Sequence, residues 1–203
     1  MKLEVYSDPD LAVFTTRELA LRSGVSVSSA SRQLSHGADT GALTRVTRGV
    51  WANPRNPAFH PHLCVAPLLG NEQGYVSFLT ALHLHGIVSQ IPTRIHVATT
   101  GHARRIATPV GVFELFHLAP GLMTKGVVWS ETRIPYRIAT PEKALLDTLY
   151  ISTRKGRRFR SLPELDLSRR RFRRTRFAAL VRDIDNPRIA TAIERRFEAL
   201  VQR

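Results

Sequence analysis

A group of short polar side chains and one arginine lies between residues 26 and 34. If this segment is helical, Ser28, Ser29, Arg32 and Gln33 all lie on its outer side. Hydroxyl groups and a guanidinium fork suit hydrogen bonding to base edges and phosphates in the DNA major groove, and the fork of Arg32 fits O6 and N7 of guanine. The chemistry predicts a helix that reads DNA, provided that other elements hold it in place.

The residues just before this segment predict a short helix and a tight turn. Thr15 and Glu18 have the spacing of a capping box, and Ser23-Gly24 is typical of a turn that ends a helix. Ser26 is then the N-cap of the second helix, and any contact it makes with DNA is to a phosphate. A helical hairpin with an ordinary polar outer face is the alternative interpretation.

Apolar spacing predicts which side of the second helix is buried. Val27, Ala30 and Leu34 recur at i, i+3 and i+7, so we expect them to form one apolar stripe against a core. Gly41 is the expected end of this helix.

Two short strands are predicted next, at residues 43–46 and 50–52, joined by a turn at Gly49. A helix-turn-helix followed directly by a two-stranded ribbon indicates a winged helix. Arg45 and Arg48 then lie on the ribbon and its tip, where a cation reaches phosphates or the minor groove.

Charge is distributed unevenly along the 203 residues, which carry a formal net charge of +14. Residues 1–52 have a net charge of +1, residues 53–150 of +3, and residues 151–203 of +10. So strong a positive balance predicts a polyanionic partner. Most of the positive field lies in the last quarter, away from the predicted reading helix.

The basic tail holds 11 cations and 2 acids between residues 154 and 176. Phe159, Phe172 and Phe177 interrupt the arginine runs, which favours partial ordering with phenylalanine inward and arginine outward. The residues predicted to bind phosphate are Arg157, Arg158, Arg160, Arg169, Arg170, Arg171, Arg173, Arg174 and Arg176. A merely solvated charge run and a surface for an acidic protein partner are the alternatives.

The middle of the chain predicts a small mixed body of strands and helices. The expected elements are a helix over 78–85 capped by Ser77, strands over 94–99, 112–117 and 134–138, a helix from Thr140-Pro141 to Tyr150, and a helical tail from Phe177 to Gln202 broken at Asn186-Pro187. The predicted fold class is α+β, with a winged helix-turn-helix domain at residues 1–53. A mixed α/β domain follows at 58–203, and its arginine-rich helical tail covers about 151–203.

Two groups of histidines, one of them with the single cysteine, contain potential metal ligands. His60, His62 and Cys64 alternate, so on a strand they would share a face, and His83 and His85 form a second pair. Their spacing is unlike that of structural zinc sites, and one cysteine is too few for most of them. We therefore predict a polar loop and helix packing at these positions, with no metal and no cofactor.

A second constellation, Glu142, Lys143 and Asp147, has the residue types of a phosphodiester-cleaving site. The favoured interpretation is structural: Glu142 stabilises a helix start, and Lys143 and Asp147 form a surface ion pair at i, i+4. The sequence contains no P-loop, GxSxG or HExxH motif. We therefore predict a protein that is not an enzyme, with a DNA-processing enzyme as the weaker alternative.

The compartment expected from the sequence is the cytoplasm. Cys64 is the only cysteine, which excludes an intrachain disulfide and is typical of a reducing environment. No run of 18 apolar residues predicts a membrane span, and the N-terminus lacks the apolar segment of a secretion signal.

Several segments, taken in order, resemble the AbiEi family of antitoxins and transcriptional regulators from type IV toxin–antitoxin systems. They are Thr16-Arg17-Glu18-Leu19 with Gly24-Val25-Ser26, residues 43–51, Tyr75-Val76-Ser77 with residues 81–86, Gln90-Ile91-Pro92, and residues 139–147. Together they extend over roughly residues 13–150.

The resemblance implies a winged helix that binds operator repeats upstream of a two-gene operon. It also implies a C-terminal region that counters a toxin of the nucleotidyltransferase type, and it leaves open whether the two proteins touch. A stand-alone regulator without a toxin partner is the other interpretation of the same DNA-binding features.

Overall fold

A computed structural model describes residues 8, 10–154, 158–159, 161–168 and 170–202. Within these residues the chain has a mixed α+β architecture with seven α-helices and two β-sheets, which confirms the predicted class. The chain divides into two compact units. The first comprises the described residues of 1–71, 106–112 and 130–136, and the second those of 72–105, 113–129 and 137–203.

The first unit begins with two helices and a three-stranded antiparallel sheet. Its elements are β1 Val13–Thr15, α1 Thr16–Ser23, α2 Val27–Asp39, β2 Thr44–Thr47 and β3 Val50–Ala52, and the strand order is β1-β3-β2. A 3-10 turn at Pro61–Cys64 and α3 Val65–Leu69 follow. The two helices and both ribbon strands were predicted; β1 was not.

Local hydrogen bonds explain where α1 and α2 begin. The Glu18 amide donates to Thr15 Oγ1 at 3.1 Å, and the Thr15 amide donates to Glu18 Oε2 at 2.6 Å, so the predicted capping box is confirmed. Gly24 closes α1 in a left-handed conformation with φ of 62°. Ser26 caps α2 as predicted, because its Oγ accepts from the Ser29 amide at 3.2 Å.

An apolar cluster under α1 and α2 joins them to the sheet. It comprises Leu11, Phe14, Leu19, Leu34, Leu43 and Trp51. The Trp51 indole also donates to Thr16 Oγ1 at 2.9 Å, which links β3 to the start of α1.

The predicted apolar stripe of α2 is wrong at one position. Ala30 and Leu34 are buried, but 51% of Val27 is exposed. The buried side of α2 continues instead through Gly37. Val27 stands in the first turn, and the cluster beneath α2 does not include it.

The second sheet has six strands in the order β6-β7-β5-β4-β9-β8. The strands are β4 Gly74–Val76, β5 Ile95–Thr99, β6 Arg104–Thr108, β7 Gly111–His117, β8 Val127–Trp129 and β9 Arg137–Ala139. Parallel pairs (β5–β7 and β4–β9) and antiparallel pairs (β4–β5 and β8–β9) both occur in this sheet. The strand expected from residue 134 begins only at Arg137.

The remaining helices are α4 Phe78–Leu84, α5 Pro141–Ser152, α6 Arg174–Arg182 and α7 Pro187–Val201, with a 3-10 turn at Pro120–Leu122. Thr140 and Pro141 start α5 as predicted. The break before α7 is also confirmed, because the side chain of Asn186 caps that helix. Along the part of the chain that the structure describes, no helix is both long enough and apolar enough to cross a bilayer.

Candidate nucleic-acid interface

Hydrogen bonds link three serines at the start of α2 through two hydroxyl groups and one backbone amide. Ser26 and Ser28 are exposed and Ser29 is half-buried. The two exposed hydroxyl oxygens are 3.0 Å apart, and Ser26 Oγ also accepts from the Ser29 amide. Of the two hydroxyl hydrogens on Ser26 and Ser28, one lies between them and the other remains available to a ligand.

The next turn of α2 separates Arg32 from Gln33. Arg32 is exposed, as predicted, and no acidic residue forms an ion pair with it among the described residues. Gln33 is half-buried, and its Oε1 is buried without a hydrogen-bond partner. The expected outward position of Gln33 is therefore wrong, because its side chain lies partly against the body of the unit.

The ribbon carries the two arginines, Arg45 and Arg48, that were predicted to contact phosphates or the minor groove. Arg45 is exposed, and its Cζ lies 5.7 Å from the centroid of the Trp51 ring, a cation–π distance that orients a long side chain. Arg48 is exposed in the turn between β2 and β3. Gly49, with φ of 79°, gives that turn its left-handed residue. These two cations and Arg32 all belong to the first unit.

The tail in the second unit has the predicted inward phenylalanines. Phe172 and Phe177 are 1% and 2% exposed, and the rings of Phe177 and Phe197 stack with centroids 4.3 Å apart. The neighbouring arginines at 170, 171, 173, 174 and 176 are exposed. Arg157, Arg160 and Arg169 lie outside the described residues.

The described tail arginines differ in what they contact. Arg158 pairs with Glu114 at 3.0 Å, and Arg171 pairs with Asp166 at 3.5 Å and donates to the Gly86 carbonyl. In the described chain, no acidic side chain pairs with the guanidinium of the other four, which are Arg170, Arg173, Arg174 and Arg176. Among the described tail arginines, these four have a guanidinium group that no ion pair occupies.

The predicted surface ion pair on α5 is instead fully buried. Lys143 is 1% exposed and Asp147 is 0% exposed, and their charged groups are in direct contact. Asp147 Oδ2 accepts from Ser77 Oγ at 2.7 Å and from Tyr75 OH at 3.0 Å. Burial raises the pKa of the Asp147 carboxyl, while the Lys143 ammonium opposes that rise. The prediction failed because the two hydroxyls come from distant parts of the chain, Tyr75 in β4 and Ser77 just after it, which lie 72 and 70 residues upstream of Asp147.

Ser77 therefore differs from its expected role, whereas Glu142 stands in the first turn of α5 as predicted and also makes a bond to the tail. Ser77 stands at the N-cap of α4, but its hydroxyl makes no cap bond and serves Asp147 instead. Glu142 is 3% exposed, and its Oε1 accepts from the backbone amide of Arg173 at 2.8 Å. Both acids of the nuclease-like constellation therefore make structural hydrogen bonds. Glu142 binds the tail at Arg173, and Asp147 is bonded within the core.

His60, His62 and Cys64 do not share a strand face, because Pro61 starts a 3-10 turn there. The His62 ring stacks on Tyr136 with centroids 5.3 Å apart. Burial, followed by the nearby His60, lowers the pKa of His62 to about 4. Burial raises the pKa of the Cys64 thiol to about 12. Both shifts disfavour the charged form of the side chain, which is the usual effect of burial.

His96, in the second unit, is a buried histidine that was not among the residues predicted from the sequence. His96 is 8% exposed, its Nδ1 has no hydrogen-bond partner among the described residues, and its Nε2 lies 3.9 Å from Glu114. Burial lowers the pKa of His96 to about 4, although Glu114 opposes the shift. Arg94 and Arg158 both pair with Glu114. His96 and Glu114 are register partners on β5 and β7, and no local pattern in the sequence indicated that pairing or the burial.

Comparisons with known proteins assign no family to the chain. No protein-family model matches it, and no curated protein matches it either. What the fold defines is a class: a mixed α+β protein that displays hydroxyls and arginines in its first unit and arginines in its tail. Its function has to be inferred from those surfaces.

Proposed function

We propose that this protein is a DNA-binding transcriptional repressor and the antitoxin of a type IV, AbiE-like toxin–antitoxin module. In this proposal the first 53 residues are a winged helix-turn-helix that binds operator repeats in the protein's own promoter. The observation that carries it is the exposure of Arg32 on α2 and of Arg45 and Arg48 on the ribbon, all within one small unit.

The order of elements supports the DNA-binding part. A winged helix places a second helix in the major groove and a ribbon beside the backbone, and α1, α2, β2 and β3 follow in that order with a tight turn at Gly24. Residues near the start of a recognition helix contact base edges. Here those residues are small hydroxyls with Arg32 one turn further on.

The tail supports the electrostatic part. Residues 151–203 have a net charge of +10, and four described arginines lack an acidic partner there. Phosphate contacts position a protein on the duplex without reading its sequence. Recognition therefore belongs to α2 in this proposal, and much of the sequence-independent affinity belongs to the tail.

The antitoxin role, the cytoplasmic location and a nucleotidyltransferase-type toxin as the functional partner rest on the segment resemblance. No enzymatic activity is part of the proposal, since Glu142 and Asp147 are committed to internal hydrogen bonds. Without a nucleotidyltransferase gene beside it, the same surfaces would serve a stand-alone regulator.

Fluorescence anisotropy with DNA from upstream of the gene tests the DNA-binding part. The control is a shuffled duplex of the same base composition. We expect the upstream duplex to bind at least about 10³-fold more tightly at moderate salt. Equal affinity for both duplexes would reject the repressor.

Matched tail variants test the phosphate-binding role. Each lost phosphate contact lowers the slope of log affinity against log salt by about 0.9. We expect Arg176→Ala to show such a loss and Arg158→Ala, whose side chain already pairs with Glu114, to show little. Equal slopes for both variants and the parent would remove the tail from the interface.

Co-expression with the product of the adjacent gene tests the antitoxin role. We expect the full chain to restore growth. The full-length double variant Arg32→Ala, Arg48→Ala separates the two activities, because it should lose promoter binding. Growth arrest despite abundant, folded wild-type chain would reject the antitoxin.

A further inference from the structure

The first turn of α2 carries an exposed apolar side chain between two exposed hydroxyls. Val27 is 51% exposed, although its spacing relative to Ala30 and Leu34 predicted burial. Ser26 and Ser28 stand on either side of it in the chain and are also exposed. A single exposed valine is ordinary on a protein surface. Val27 is notable because it lies in the first turn of the helix that we propose to bind DNA.

The exposed side chains of this turn offer a ligand the isopropyl group of Val27 and one hydroxyl donor. The Ser26 and Ser28 oxygens are 3.0 Å apart, so one of the two hydroxyl hydrogens is used between them. Ser26 Oγ is further occupied by the Ser29 amide at 3.2 Å. One hydroxyl hydrogen and the two methyl groups of Val27 remain for a ligand.

Thymine is the base whose major-groove edge matches that set. Its edge offers the O4 acceptor beside the C5 methyl group, whereas cytosine offers an amino donor and no methyl. Guanine presents two acceptors, which suit an arginine fork better than a hydroxyl beside a valine. The first turn and Arg32 therefore have complementary preferences on the same helix.

We infer that Val27, with a hydroxyl of the Ser26–Ser28 pair, specifies a thymine in the DNA site of this protein. The inference rests on the proposed function, since it requires that α2 enters the major groove. In this arrangement Val27 covers the C5 methyl group, and the remaining hydroxyl hydrogen is donated to O4. Val27 is thus a specificity residue that the periodicity of the sequence concealed.

The test removes first the C5 methyl group of thymine from the DNA and then the two methyl groups of Val27 from the protein. The full chain first selects its preferred duplex from a random-sequence library. Each thymine of that duplex is then replaced by deoxyuridine, which lacks only the methyl group. Affinities are measured for the wild type, Val27→Ala and Leu21→Ala. Leu21 is the matched control, because it is exposed by 85% but lies on α1.

At one thymine, we expect deoxyuridine to weaken wild-type binding about fourfold, the value of one buried methyl-sized group. The same replacement should change Val27→Ala binding little, and Leu21→Ala should behave as the wild type. Thermal unfolding should show all three proteins folded, because Val27 lies outside the core.

Two results would overturn the inference, and they are distinguishable. If the chain selects no duplex, the DNA-binding function itself fails. If it selects a duplex but every deoxyuridine affects the wild type and Val27→Ala equally, the function stands and the thymine contact is wrong.

Discussion

Helices α2 and α5 begin with the same kind of N-cap but lie in opposite environments, since α2 is largely exposed on one side and α5 is buried. Each opens at a hydroxyl N-cap that accepts from the third amide of the helix, at 3.2 Å for Ser26 and 3.3 Å for Thr140. Polar side chains follow in both. On α2, Ser28 and Arg32 face solvent, whereas Glu142, Lys143 and Asp147 of α5 are all buried.

The difference separates polar side chains that stabilise the fold from polar side chains that can bind a partner. On α5, Asp147 receives hydrogen bonds from three side chains, so the chain itself satisfies the buried charge. On α2, the Ser26 and Ser28 hydroxyls bond to each other, and Ser26 also accepts from the Ser29 amide, with no further partner among the described residues. Satisfied polar groups stabilise a structure, and exposed ones with spare capacity remain available to a partner.

Removing the Asp147 carboxylate should have the largest effect of any single change considered. Asp147→Ala leaves the Lys143 ammonium buried without its partner, which typically costs about 3–5 kcal/mol. A surface pair at i, i+4 would cost only about 0.3–0.5 kcal/mol. Urea unfolding followed by circular dichroism distinguishes the two values.

A double variant provides the control for that experiment. Lys143→Met with Asp147→Leu removes both charges while filling similar space, so it should be more stable than Asp147→Ala. If Asp147→Ala unfolds with nearly the wild-type free energy, the buried pair is not as the structure describes it.

The same contrast explains how much of the molecule was predictable. The capping box at Thr15 and Glu18, the cap at Ser26 and the Thr140-Pro141 start depend on residues within a single turn, and all were predicted. The sequence also indicated Arg32 and Arg48 as exposed, since both lie in strongly polar surroundings.

Burial set by distant chain segments could not be predicted. Lys143 and Asp147 fit a surface pair until Tyr75 and Ser77 are brought beside them by β4. Val27 fitted the apolar stripe, yet the core beneath α2 does not extend to the first turn. In both cases the local pattern was correct and the tertiary environment decided the outcome.

Arg32→Ala tests the exposed side of the comparison. Loss of a bidentate contact with guanine should cost about 1–3 kcal/mol of binding free energy and relax the preference at one base pair. Arg48→Ala, by contrast, should weaken binding to all sequences alike. Anisotropy on the preferred duplex and its single-base variants measures both. Unchanged affinity in both variants would mean that DNA does not use this surface.

Buried and exposed histidines should differ in their effect on stability at acid pH. The pKa of His96 is about 4 in the folded chain, against about 6.5 for the ordinary side chain. The unfolded state therefore binds a proton first as the pH falls below about 6.5. The contribution of His96 to stability is present above that pH and is lost towards pH 4, by about 2 kcal/mol between pH 7 and pH 5.

Unfolding titrations of His96→Gln and His36→Gln at both pH values isolate this contribution. The lowered pKa of His62 acts in the same direction, so the wild type should lose stability at acid pH for more than one reason. Between pH 7 and pH 5, we expect the unfolding free energy of His96→Gln to fall by about 2 kcal/mol less than that of the wild type. His36→Gln, which is changed at an exposed site on α2, is the control and should follow the wild type. Parallel pH curves for all three proteins would contradict a neutral, buried His96.

The smallest effects separate the two roles of Ser26, as a helix cap and as part of a DNA surface. Ser26→Ala and Thr140→Ala should each cost about 1 kcal/mol of unfolding free energy, because each leaves a terminal amide without its acceptor. Ser26→Asp should keep the stability, since aspartate caps as well as serine and its charge favours the helix N-terminus. The same charge faces the phosphates if α2 enters the groove, so Ser26→Asp should bind DNA more weakly than Ser26→Ala, whereas Thr140→Asp should bind as the wild type does. If Ser26→Asp binds DNA as tightly as the wild type, Ser26 is a cap alone, and the first turn of α2 lies away from the duplex.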